Sequence, residues 1–138
     1  MKRIFYIIAS VVMTGLIFGF SAQSASTSSE LSSGLTDFLY RGIDALSIPL
    51  SYDTFHWIVR KCAHVIEFML LGYFYTSAAL PSRKRLLIVI VLGLVVALTD
   101  ETIQQFFEGR GPSIFDAFVF DFSGFLIGCF LTLKINKI

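Results

Sequence analysis

The sequence predicts an all-α membrane protein. The expected fold is a four-transmembrane-helix bundle with a short amphipathic outer-surface helix between helices one and two, and both termini cytoplasmic. Three observations predict it. The 138-residue chain is 55% hydrophobic and only 15% charged, where a soluble domain carries about 25% charged residues, and its mean hydropathy is +0.75. Its apolar residues gather in four runs, at about 4–20, 57–80, 86–106 and 114–133, each near the roughly 20 residues that cross hydrocarbon as a helix. Its basic residues sort to one side of those runs. The length fits a single membrane domain, 1–138. So few charges cannot cover a soluble protein of this size. That excludes a cytosolic enzyme, a nucleic-acid binder and a disordered tail.

The first run follows Lys2 and Arg3 and extends from Ile4 to Phe20. A basic start and the small residues of Ser21 to Ser26 also suit a cleavable signal peptide. The length of the run, and Phe18 and Phe20 just before that stretch, favour a retained helix. Residues 21–53 form the long outer loop. It opens with the polar, helix-breaking SAQSASTSSE. From about 30 to 47, Leu31, Leu35, Phe38, Leu39, Ile43 and Leu46 recur at one-face helical spacing, and Pro49 follows. This reads as an amphipathic helix on the outer surface, or a lid over the bundle. Asp53 is the expected N-cap of the second span and Trp57 its interfacial anchor. Pro81-Ser82-Arg83-Lys84-Arg85 reads as a tight cytoplasmic turn before the third span. Glu108-Gly109-Arg110-Gly111-Pro112 is a short outer connection to the fourth.

With the N-terminus inside, the cytoplasmic side holds Lys2, Arg3, Arg83, Lys84, Arg85, Lys134 and Lys137, seven of the eleven basic residues. That asymmetry sets the orientation. Cys62 and Cys129 fall at different depths and are expected as free thiols.

Charges within spans are costly, roughly 2.5–3.5 kcal/mol each at a helix centre. Here they all lie toward the outer helix ends. On the second span Arg60, His64 and Glu67, at i, i+4 and i+7, fall within about 60° of one another, with Lys61 beside them. On the third, Asp100 and Gln104 share a face, flanked by Glu101. Arg110 can fold back from the connection. Asp116 and Asp121 lie on the fourth, Asp121 on one side with Gly124 and Gly128, whose G-x-x-x-G spacing suits close helix packing. Ser21 and Gln23 close the first helix at the same level. Structural salt bridges are the plain alternative. Five acids, Glu67, Asp100, Glu101, Asp116 and Asp121, exceed what pairing with Arg60, Lys61, His64 and Arg110 needs.

Glu67, one turn from His64, favours its imidazolium form. Lys61, His64 and Arg110 are therefore expected to face an anion, and the Asp100 and Asp121 side a neutral or cationic group. His64-x-x-Glu67 could ligate a divalent metal, but a lone H-x-x-E without H-E-x-x-H or paired cysteines is a weak signal. No metal and no cofactor are expected.

Taken together, Lys61-Cys62-Ala63-His64-Val65-Ile66-Glu67-Phe68, Asp100-Glu101-Thr102-Ile103-Gln104-Gln105-Phe106, Gly109-Arg110, Asp116 and Asp121-Phe122-Ser123-Gly124 resemble the VanZ-like family. The first-helix ending Phe20-Ser21-Ala22-Gln23 is similar to the family's as well. Phe68 stands where the family often has Tyr, and Ser24 where Pro often follows Gln. The resemblance implies a multi-pass bacterial cytoplasmic-membrane protein with a link to glycopeptide resistance and teicoplanin tolerance. The reading that fits the depth of the cluster is an outer-leaflet binding protein. Its partner would be a membrane lipid, a lipid-linked cell-wall precursor or a lipoglycopeptide, with its head group among Gln23, Lys61, His64, Glu67, Asp100, Glu101, Gln104, Arg110, Asp116 and Asp121. The alternatives are a membrane enzyme on a lipid-linked substrate, by acid–base or metal-assisted chemistry, and a transporter or structural partner. No nucleic-acid partner is expected, and the sequence assigns no oligomeric state.

Overall fold

The computed structural model describes residues 1–79 and 83–136. The expected turn at Pro81-Ser82, the last residue of the expected 57–80 helix, and Lys137 lie outside the described residues. Five helices follow one another: α1 (Lys2–Ser21), α2 (Ala25–Ala45), α3 (Tyr52–Ala79), α4 (Arg83–Gln104) and α5 (Ile114–Ile135). No strand occurs among the described residues. Three helices, Lys2–Ser21, Lys84–Gln104 and Ile114–Ile135, are long and apolar enough to cross a membrane. At 28 residues α3 is the longest, but Arg60, Lys61, His64 and Glu67 lower the apolarity of the part before Phe68.

Several boundaries depart from the sequence expectation, those of α2 and α3 because serines cap them. Helix α2 starts at Ala25 rather than near 30. Ser24 caps it, its side chain accepting from Thr27 N, and Ala25 N is held by Glu108 O at 2.9 Å. The serines that read as breakers cap and continue the helix instead. Helix α3 starts at Tyr52, where Ser51 Oγ rather than Asp53 accepts the first-turn amide, Thr54 N. Helix α4 begins at Arg83 rather than 86 and ends at Gln104, short of 106. Helix α5 is not uniform: after Ile114–Asp116 it widens into a π-helical stretch, Ala117–Phe122, then resumes as α from Ser123.

Helix α3 is central and packs against each of the other four. Its closest partner is α5, and glycines set that distance. A Cβ on Gly124 would lie 2.5 Å from Val65 O, and one on Gly128 or Gly72 would overlap Met69 O or Phe125 O. Such approaches stabilise bundles in lipid, where packing rather than water exclusion holds helices together. The apolar core between these helices is small, built on Ile17, Phe68, Leu71, Val96, Phe125 and Cys129. Most large apolar side chains point outward instead, among them Val11, Leu87, Val91, Val95, Phe118 and Phe130. The buried set is unusually polar and includes Ser21, Asp100, Glu101, Gln104 and Asp121. Cys62 is exposed and Cys129 buried, both free.

The two ends of the bundle differ. At one, Arg3 Nε donates to Ala78 O at 3.2 Å, bringing the start of α1 to the end of α3. At the other, α1 and α4 finish together, α3 and α5 begin, and α2 lies across α3. Ser32 Oγ bonds His56 Nε2 at 2.7 Å, Tyr52 donates to Asp37 at 2.6 Å, and Tyr40 donates to Leu50 O at 2.8 Å.

Candidate functional site

The polar residues of the second end meet in one layer. Helix α1 delivers Ser21, which is 1% exposed. Its hydroxyl donates to Asp100 Oδ1 of α4 at 2.5 Å. One turn on, Gln104 Nε2 donates to Asp100 Oδ2 at 3.1 Å and reaches Ser21 Oγ at 3.5 Å. Asp100 is fully buried, so these contacts replace the water it gives up.

His64 of α3 faces the acids of the neighbouring helices rather than Glu67. Its Nδ1 lies 3.3 Å from Asp121 Oδ1 and 3.9 Å from Asp100 Oδ2. Spacing along one helix pointed to Glu67; packing of α4 and α5 onto α3 supplies nearer carboxylates. Glu67 lines a cavity beside His64 and has no hydrogen bond or ion pair among the described residues. Lys61 departs from expectation in the same way. It pairs with Asp116 at 2.5 Å, so its charge is already neutralised instead of facing outward. Asp116 sits in the first turn of α5, where the amides favour an acid.

The π stretch makes both pairs possible. In an α-helix, positions five apart such as Asp116 and Asp121 point about 140° away from each other. A π turn bonds i to i+5 and stacks such residues on one side. Lys61 and His64, three apart on α3, can then meet Asp116 and Asp121 together.

Glu101, 6% exposed, accepts from Ser113 N at 2.7 Å and so fixes the start of α5. Gln23 contributes its backbone: Arg110 Nε donates to Gln23 O at 3.1 Å and Arg110 Nη2 to Phe20 O at 2.9 Å. Arg110 thus closes the orphan carbonyls at the end of α1. Burial, followed by the like charge of Arg60, lowers the Arg110 guanidinium from its ordinary value, against the charges of Asp100 and Glu101.

Two cavities open on this layer. One, about 190 Å³, lies under α2. Its wall is apolar at Phe20, Leu31 and Leu35 and polar at Arg60, His64, Glu67 and Arg110. The other, about 180 Å³, is bordered by Trp57, Lys61, Gln104 and Asp116. Arg60, His64 and Arg110 line both. The sequence reading placed Arg60 on the right face but kept it out of the ligand-facing set. The contribution of α2 to the cavity wall had only the lid alternative as its signal. Neither Arg60 nor Arg110 has a carboxylate within ion-pair distance among the described residues: Asp100, Glu101, Asp116 and Asp121 are taken up by His64, Lys61 and backbone or side-chain donors, and Glu67 lines the cavity unpaired.

No curated protein and no solved structure matches the chain. A family model described as VanZ/LLP1 matches residues 4–136, nearly the whole length. The chain, an all-helical membrane protein with its polar groups concentrated at one end, belongs to the VanZ/LLP1 family.

Proposed function

We propose that this protein binds an amphiphile from the outer leaflet of the bacterial cytoplasmic membrane, with an anionic head group between Arg60 and Arg110. The observation that carries the reading is that these two guanidinium groups line the same two cavities and that neither forms an ion pair with a carboxylate among the described residues. A phosphate or carboxylate would relieve their repulsion and match their planar donor geometry. The larger cavity continues into Phe20, Leu31 and Leu35, a surface suited to the start of an acyl or polyprenyl chain. The ligand class is a lipid-linked cell-wall precursor, another anionic membrane lipid or a lipid-tailed glycopeptide. Family membership supports a role in glycopeptide resistance, here teicoplanin-type tolerance.

The accompanying topology has four spans, with α3 as the fourth, α2 on the outer surface and both termini cytoplasmic. It is supported by the gathering of Arg3 and Arg85 along one groove at the end of the bundle opposite the cavities, as the distribution of basic residues requires.

The test is binding of a photoactivatable polyprenyl phosphate to the purified full-length protein in nanodiscs, against the uncharged alcohol. The phosphate should label Leu31 or Leu35 and compete at least tenfold better than the alcohol. R60Q together with R110Q should remove that preference, while K61Q should retain it. Equal binding of phosphate and alcohol by the unaltered protein would rule the reading out.

A further inference from the structure

We propose that His64, Asp100 and Asp121 form a site for one divalent metal ion. Each residue offers one ligand atom, and the three atoms lie within 4.8 Å of one another. They come from three different helices, α3, α4 and α5, so the fold itself assembles the set. This inference goes beyond the head-group reading and does not depend on it.

Charge is the first argument. Asp100 is 0% and Asp121 1% exposed. Among the described residues no Lys or Arg forms an ion pair with either, and His64 is their only ionisable partner. An imidazolium can balance one of two buried carboxylates. A divalent cation balances both, and it leaves His64 neutral with an Nδ1 lone pair to donate.

The second argument is independent of charge. Asp121 Oδ2 is buried with no hydrogen-bond partner. Leaving such an oxygen bare costs roughly 1–3 kcal/mol, and more when it is charged. A metal ion shared with Asp100 and His64 would satisfy it. The surroundings also suit a metal site. Ser21 and Gln104 both donate to Asp100, the kind of outer hydrogen bonding that orients ligating carboxylates. His64 borders both cavities, which gives an ion a way in.

One imidazole nitrogen with two carboxylate oxygens suits a first-row ion such as Mn²⁺ or Zn²⁺. It also leaves coordination positions open to water or to an anionic group. Glu67 lies outside the set.

Mn²⁺ added to chelator-stripped full-length protein in detergent provides the test. One Mn²⁺ per chain should bind, its electron-spin-echo spectrum should carry ¹⁴N coupling from imidazole, and the ion should raise the melting temperature. H64Q should lose the ¹⁴N coupling. D100N and D121N should each weaken binding at least tenfold, and E67Q should leave it unchanged. The unaltered protein alone decides the matter if a variant fails to fold: absent ¹⁴N coupling, or binding below one ion in ten chains, overturns the proposal. So does coupling that persists in H64Q, or that disappears in E67Q.

Discussion

Ser21 and Asp100, 79 residues apart, are joined by a 2.5 Å hydrogen bond in which the hydroxyl at the end of α1 donates to a fully buried carboxylate of α4. Ser21→Ala removes that donor and leaves Asp100 with Gln104 as its remaining hydrogen-bond donor. Loss of one partner from a buried polar group costs roughly 1–3 kcal/mol. The melting temperature in detergent should fall accordingly, and Ser21→Thr should recover most of the loss. An unchanged melt for Ser21→Ala would mean that the hydroxyl carries no weight in the cluster.

Glycines should divide into two classes. Gly128→Ala drives a methyl into Met69 O of α3, whereas a Cβ at Gly15 of α1 meets nothing within 4 Å. Overpacking of a tight contact costs typically 1–3 kcal/mol, while Ala in an open helical position gains up to about 1 kcal/mol. Thermal melts should therefore move down for Gly128→Ala and stay level or rise for Gly15→Ala. Similar melts for the two would contradict the close α3–α5 approach.

The pair Lys61–Asp116 is about one-fifth exposed on each side and links α3 to the start of α5. Lys61→Asp and Asp116→Lys should each destabilise the protein. Combining them should restore at least half of the loss, with a coupling of about 0.5–3 kcal/mol. Additive losses in the double-mutant cycle would show that the two charges act separately.

Topology is open to direct measurement. A reporter active only outside the cell should function when fused after Ser32 or Gly109 and stay silent after Arg85 or Asn136. The opposite pattern would invert the bundle and place the cavities on the cytoplasmic face.

Much of this architecture was legible because each membrane segment announces itself locally. The helical positions of α1, α4 and α5 follow from uninterrupted apolar stretches, and Gly124 and Gly128 from their spacing. Ser24 and Ser51 were harder, since serine serves equally as a helix cap and as a loop residue, and only the backbone geometry distinguishes them. The membership of the polar layer could be read from charges that hydrocarbon does not tolerate unless they are gathered. Its pairing could not. His64 meets Asp121 rather than Glu67, and Lys61 meets Asp116, because partners on other helices depend on crossing geometry that a one-dimensional pattern does not contain. The π stretch at Ala117–Phe122 had no sequence signal at all, and Arg60 replaces Lys61 among the anion-facing residues only because Lys61 is paired with Asp116.

That wide turn gives the last helix an unusual sensitivity to length. Residues 117–122 hold one amino acid more than an α-helical path between the same two anchors would use. Removing Val119 should let the segment close to an ordinary α-helix with both anchors kept, because Asp116 and Asp121 would then stand four apart, about 40° from each other. Closing the turn with all its residues retained would instead swing the segment before it by about 100° and carry Asp116 off the face that meets Lys61. A single-codon deletion should thus preserve the Lys61–Asp116 pair, whereas an α-helical turn of the present length would separate the two halves of the polar layer without altering any charge. The reading frame of this one turn, more than the identity of its side chains, decides which acids meet which bases.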